Sequence, residues 1–324
     1  MTKITAGTVT CAVALLCGSL AYAATPYPNS VIKLVVAFAP GGGTDVIARV
    51  IGKELNDAWN NPVVVENRPG AGSNIGTRVV ARSTPDGYTI LVTSTAFAIN
   101  PSLYKNAGYN PTEDFVPIVN AGASPTIVVA HPSVPIRNLK ELIALGKKQP
   151  LSYASAGVGT VPFLTAEFLL NTKAAASIAH IPYAGAGPAL TAVVAGHVPV
   201  ASLAFATPAL GNWISSGKLR PIAVMSPKRL ASYPAVPTGS ESGFPGYVDS
   251  TWIGFLAPAR TPKEIVAKLN GEMSRILHLP AATEALGQLG FEWEANSPEQ
   301  FASYIQAETA KWAEIVKATN TLVD

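Results

Sequence analysis

Four short loops carry the residue types best suited to handling a small anion: Gly41–Asp45, Ser94–Thr95, Ser155–Thr160 and Gly185–Pro188. Three of them read as strand-to-helix junctions. The first N–H groups of a helix have no intrahelical partner, and the helix dipole adds about half a positive charge there. Glycine lets the backbone approach a ligand closely, so such junctions are ready anion sites. None of the four loops contains Lys or Arg. A carboxylate bound there is held by neutral dipoles, hydroxyls and ordered water, not by an ion pair. Taken singly, each glycine loop is better explained as a tight turn. The anion reading rests on several of them sharing one end of the strands.

Other chemistries find less support. His131, His180, His197 and His278 are far apart and form no H-x-x-x-H or H-E-x-x-H pair, so each is expected on the surface or in a loop and no metal site is expected. No segment supplies a Walker A loop, and Gly70–Gly76 has one residue too many for the dinucleotide fingerprint, so no cofactor is expected. Ser155 lies in Ala154-Ser155-Ala156-Gly157, which resembles the strand-to-turn context of a hydrolase serine. There is no G-x-S-x-G elbow, and no histidine follows in a context that suggests a triad partner. Asp45 is more simply the N-cap of a helix. A periplasmic hydrolase or transferase using Ser155 or Asp45 stays open as the alternative to pure binding.

Composition narrows the setting. Of 324 residues, 48% are hydrophobic and only 13% charged, against roughly a quarter charged in an average protein. That balance is the opposite of disorder. The net charge is +3 without any basic run, which excludes nucleic acid and an anionic membrane as natural partners. Lys3 is followed by the apolar stretch Val9–Ala21 and by Ala21-Tyr22-Ala23. These are the parts of a secretory signal peptide over residues 1–23, cleaved after Ala23, and the stretch is too short to span a bilayer. Both cysteines, Cys11 and Cys17, lie inside it, so the exported chain has no disulfide or thiol chemistry. The product is expected to be a soluble periplasmic monomer.

The mature chain repeats one unit: an apolar strand, a Gly/Ser/Pro loop and a helix. Ile32–Ala39 reads as a strand buried on both faces, and Val46, Ile47, Val50, Ile51, Leu55 and Trp59 form a helical stripe after it. Further strands are expected at 63–66, 88–93, 151–154, 178–182, 198–205, 219–225 and 251–256. Helices are expected through 75–82, 163–170, 188–195 and Trp213, and over 263–279, 281–289 and 297–318. Strands alternating with helices mean parallel-rich sheets, whose ligands sit where loops leave the strand ends. Two extended stretches read as crossings between domains: Phe115–Ala130, apolar and punctuated by Pro117 and Pro125, and Tyr233–Gly246, rich in Pro, Gly and Ser. The fold expected is α/β and two-lobed: residues 24–122 plus 248–324 as lobe 1, residues 123–247 as lobe 2, and the site between them.

The runs Ala37–Arg49 (AFAPGGGTDVIAR), Pro62–Gly72 (PVVVENRPGAG) and Pro85–Thr89 (PDGYT) resemble the Bug family, the TctC-like extracytoplasmic solute receptors of tripartite tricarboxylate transporters. Asn100–Tyr104, Ser152–Ser155, Pro188–Leu190, Gly217–Arg220, Pro237-Thr238 and Trp252 continue the likeness over nearly the whole mature chain. The resemblance implies a Venus-flytrap receptor of the periplasmic binding-protein type, without catalysis, that captures a small carboxylate and passes it to a membrane permease. It places Phe38, Gly42, Gly43, Thr44 and Asp45 in the pocket, with Ser94, Thr95 and the loop Ser155, Ala156, Gly159, Thr160. Ala184 and Phe205, at the end of the strand 198–205, complete the candidate contacts. The chain departs from the family at Ala184, where Lys is frequent, at Phe163, where His is frequent, and at Ala192 and Val193, where an acidic residue is common. A less polar second lobe follows, and with it a ligand with an apolar body, such as an aromatic or medium-chain carboxylate.

Overall fold

The computed structural model describes residues 27–288, 290–293, 296–319 and 322–323. The expected signal peptide and its cleavage site lie outside them. Two five-stranded sheets share one plan. The first runs in the order β2 (Val63–Asn67), β1 (Ile32–Val36), β3 (Thr89–Ser94), β10 (Thr251–Pro258), β4 (Phe115–Ser124). The second runs β7 (Ala179–Pro182), β6 (Ser152–Ser155), β8 (Val200–Ala204), β5 (Thr126–Ala130), β9 (Arg220–Val224). One reversed strand interrupts each sheet: β10 is antiparallel to β3 and β4, and β5 to β8 and β9. A parallel neighbour needs a crossover helix, whereas these two strands arrive from the other sheet.

The stretch 115–130, expected as an extended crossing, crosses as two strands. β4 belongs to the first sheet and β5 to the second, with only Pro125 between them. The chain returns through residues 225–250 into β10.

Helices cover the sheets. α1 (Gly43–Trp59), α2 (Asn74–Ala81), α3 (Ala96–Leu103), α8 (Lys263–Leu277), α9 (Pro280–Gln288) and α10 (Pro298–Thr319) accompany the first. α4 (Leu139–Gly146), α5 (Val161–Ala166), α6 (Ala186–Val194) and α7 (Ala209–Ser215) accompany the second. α1 forms because Ile47, Ile51 and Leu55 fall on one face and bury fully, each contributing about 1.5–3 kcal/mol. It stops at Asn60, whose φ of 47° is left-handed. α5 continues as a π-helical segment, Glu167–Lys173.

α3 joins the lobes. Phe97 packs in the core of the first sheet, while Ile99 and Leu103 pack with Val128, Leu164 and Leu169 of the second. Trp312 and Val316, late in α10, enter that same second cluster. The lobes therefore share apolar surface behind the cleft.

Candidate binding site between the lobes

The lobes meet through backbone. The Ala39 N–H donates to the Ala184 carbonyl at 2.9 Å, and the Tyr104 hydroxyl donates to the Val158 carbonyl at 3.3 Å. Gly43 sits so close to Ala206 that a Cβ there would collide with the Ala206 carbonyl oxygen. Gly72 meets the Val158 carbonyl in the same way, and Gly187 meets that of Pro40. The conformation is closed.

Inside the closure is a cavity of about 50 Å³. That is several times what one ordered water requires, so it takes a compact polar head and demands opening for anything larger. From the first lobe come Phe38, Gly42, Gly43 and Thr44 after β1, Ser94 ending β3, Ser124 ending β4, and Thr251 and Ile253 of β10. From the second come Ala156, Thr160 and Pro162 after β6, Ala186 opening α6, Ala204 ending β8, and Ala206 and Thr207 just after it. No charged side chain is among these lining residues.

The electrostatics come from the backbone. Gly42–Thr44 open α1, Ser94 precedes α3, Thr160 is the N-cap of α5, Ala186 opens α6 and Thr207 stands just ahead of α7. Helix starts from both lobes thus converge on one apolar space, where their dipoles are little screened. The Thr251 hydroxyl is buried and has no hydrogen-bond partner.

The structure gathers Phe38, Gly42, Gly43, Thr44, Ser94, Ala156 and Thr160 of the sequence candidates around the cavity. The others fall elsewhere, and each for a physical reason. Asp45 turns its carboxylate inward: it accepts from the Gly41 N–H at 3.1 Å, from Asn67 Nδ2 at 2.9 Å and twice from Arg49. Burial alone would raise the Asp45 pKa, but the bonds from Arg49, Asn67 and Gly41 outweigh it and hold the carboxyl below its usual range. Asp45 shapes the first loop from within. Thr95 Oγ1 accepts the Trp252 N–H at 2.9 Å and fastens α3 to β10. Gly159, at φ +87°, packs against Asn100 and Leu103 of the opposite lobe. Ala184 is spent on the bond from Ala39, and Phe205 packs against Gly290 and edge-on to Tyr233.

Ser155 is also off the cavity, and here the sequence misleads about histidine. His180 lies on β7, half-buried, with Nε2 2.8 Å from Ser155 Oγ. Its ring stacks on Tyr153 at 4.9 Å and tilts on Phe163 at 4.6 Å. Burial lowers its pKa to about 4, so the imidazole is neutral at pH 7. Ser155 Oγ in turn accepts the Gly157 N–H at 3.1 Å, and the Gly157 carbonyl accepts the Thr160 hydroxyl at 2.8 Å. The pair ends in a loop anchor. Ser124, Thr251 and Ile253 escape the sequence reading because they come from crossing strands and carry no loop motif, and Thr207 because the loop between β8 and α7 has no glycine.

Comparison with known proteins agrees with this architecture. The family model described as "Tripartite tricarboxylate transporter family receptor" matches residues 47–321. Protein BugT of Bordetella pertussis is 37% identical over 300 residues, covering 91% of each chain. The periplasmic binding protein BugD superposes with a TM-score of 0.87 at 36% identity, over 91% of this chain and 99% of that one. R. palustris Rpa4515, solved with adipate, superposes with a TM-score of 0.85 at 30% identity, over 91% and 99%.

Proposed function

The chain belongs to the tripartite tricarboxylate transporter receptor family, and from that premise we propose that it captures a small carboxylate between its lobes and hands it to the membrane permease of such a transporter. The observation that carries the reading is the convergence of helix starts from both lobes on a cavity with no charged side chain. A carboxylate there accepts from free backbone N–H groups and from hydroxyls, and the solute that carries it touches both halves of the clamp. Ligand that contacts both lobes favours the closed state by the difference in its affinity for closed and open forms. The closed shape is what the permease reads.

The wall formed by Phe38, Ala156, Pro162, Ala204, Ala206 and Ile253 supports the finer reading of a solute with an apolar body. We take the lobes as residues 24–122 with 248–324 and residues 123–247, and the exported protein as a periplasmic monomer cleaved after Ala23. No described helix is long and apolar enough to cross a membrane.

The Ser155–His180 contact favours a second reading, a hydrolase. Against it, Ser155 lies off the cavity and a base with a pKa of about 4 draws little proton from a serine at neutral pH. We propose binding without turnover.

Calorimetry and thermal melts with a panel of aliphatic, aromatic and dicarboxylic acids test this. Bound at one hundred times its Kd, the right acid stabilises the protein by about 2.7 kcal/mol and is recovered unchanged. Stabilisation by amines or neutral sugars but by no acid overturns the proposal.

A further inference from the structure

Resting on the carboxylate reading above, a count of hydrogen-bond donors around the cavity goes one step further. A carboxylate accepts about four hydrogen bonds. At the first lobe's helix starts, the N–H groups of Gly43 and Thr44 precede the first intrahelical bonds, which the Asp45 and Val46 N–H groups make to the Gly42 carbonyl. The Thr44 hydroxyl stands beside them. The Ser94 hydroxyl accepts from the Ala96 N–H and keeps its own proton to give. These donors fill a carboxylate.

Of the remaining hydroxyls, Thr160 and Thr207 give their protons to the carbonyls of Gly157 and Ala204. Two are left. Ser124 Oγ accepts the Ala206 N–H at 3.3 Å, which leaves its proton available. Thr251 is 8% exposed, and its Oγ1 is buried with no partner, a costly arrangement unless something else completes it. Ser124 and Thr251 face each other in the β4–β10 ladder. Ser124 immediately precedes Pro125 of one crossing, and Thr251 is the first strand residue after the other. Both therefore line the cavity at the pivot between the lobes.

We propose that Thr251, with Ser124, forms a second polar subsite on the hinge, which reads an uncharged acceptor oxygen of the solute, so that the preferred ligands are hydroxy or oxo acids. Two hydroxyl donors match the two lone pairs of a hydroxyl or carbonyl oxygen, whereas a second carboxylate would be left half satisfied. Thr251 is then a specificity-determining residue. Its bond forms on the pivot itself and ties recognition of that oxygen to the closed hinge angle.

The test is calorimetry on matched acids: butyrate, 3-hydroxybutyrate and acetoacetate, then benzoate and 4-hydroxybenzoate, with succinate and adipate as dicarboxylate arms. In at least one series the hydroxy or oxo acid binds about tenfold or more tighter than its plain parent, because a site built to donate rejects the analogue that cannot accept. In Thr251→Val that ratio falls to within about threefold, in Thr251→Ser it persists, and Ser124→Ala reduces it. Unliganded Thr251→Val melts at or above the wild-type temperature, since an unpaired hydroxyl has been removed. Plain acids binding as tightly as oxygenated ones, dicarboxylates dominating every series, a ratio that survives Thr251→Val, or a lower melting temperature for that unliganded variant each overturns the subsite. Failure of every acid to bind overturns the carboxylate reading itself, and the subsite with it.

Discussion

Ser155 Oγ and His180 Nε2 lie 2.8 Å apart, and their contact ends in the loop that lines the second lobe's side of the cavity. His180 holds Ser155, Ser155 holds Gly157, and Gly157 holds Thr160. His180→Phe keeps a ring between Tyr153 and Phe163 but removes the anchor. Ligand affinity is expected to fall by about tenfold, the worth of one buried hydrogen bond, as read by calorimetry. Ester or amide hydrolysis by the wild type at a rate that His180→Phe abolishes would instead make the pair catalytic.

Gly43 sets the closing contact. A methyl group at this position collides with the Ala206 carbonyl oxygen of the other lobe, not with its own lobe. Gly43→Ala is therefore expected to fold with an unchanged melting temperature yet fail to close. Small-angle scattering shows no compaction on adding ligand, and affinity drops by about a hundredfold or more, the equivalent of about 2.7 kcal/mol.

Asp45 acts through the shape of its loop. Asp45→Ala leaves the Gly41 N–H, Asn67 and Arg49 without their shared acceptor. Asp45 is the third residue of α1 and not its N-cap, which is Gly42. Leaving part-buried donors without their acceptor costs about 1–3 kcal/mol. A melting temperature lower by a few degrees and a weaker affinity are expected together. Arg49→Gln is expected to do much less, because its side chain is half exposed and an exposed ion pair is worth about 0–1 kcal/mol.

Two buried groups give opposite pH signatures. Asp249 accepts from the Thr126 N–H at 3.1 Å and from the Thr165 hydroxyl, and burial raises its pKa to about 6. Folded protein thus binds the Asp249 proton more tightly than unfolded chain does. Its stabilising effect is fully present below the unfolded value and is lost as pH rises through about 6. His180 is lowered to about 4, so its effect is present above the unfolded value and is lost as pH falls toward 4. In melts between pH 7 and 4.5, wild type gains stability relative to Asp249→Asn as pH falls, by at most about 3 kcal/mol. It loses stability relative to His180→Phe over the same range. Parallel melting curves for wild type and either variant would refute the assignment for that residue.

Much of this could be read from the sequence where local pattern and tertiary role coincide. The strand at 32–39 and the helical stripe through Leu55 announce β1 and α1, and only Ala37–Ala39 leave the strand, because Ala39 pairs across to Ala184. α3 has no sequence signature because six of its eight residues are buried between two cores and it contains Pro101, so no polar face marks it. The first-lobe loop was legible as a glycine run. Thr251 was not, since what distinguishes it is a missing partner in three dimensions. Asp45 had the right position and the wrong direction: sequence places it at the helix start, while Arg49 and Asn67 decide where its carboxylate turns.

A cavity walled by hydroxyls, methyls and main-chain amides has nothing for dissolved salt to screen except the solute itself. Mobile ions weaken attraction between exposed formal charges over about 10 Å, and they reach enclosed dipoles poorly. Such a clamp holds its cargo about as well in brine as in fresh water. It sorts competing metabolites by outline, by where their oxygens fall, and against any second charge that meets no donors.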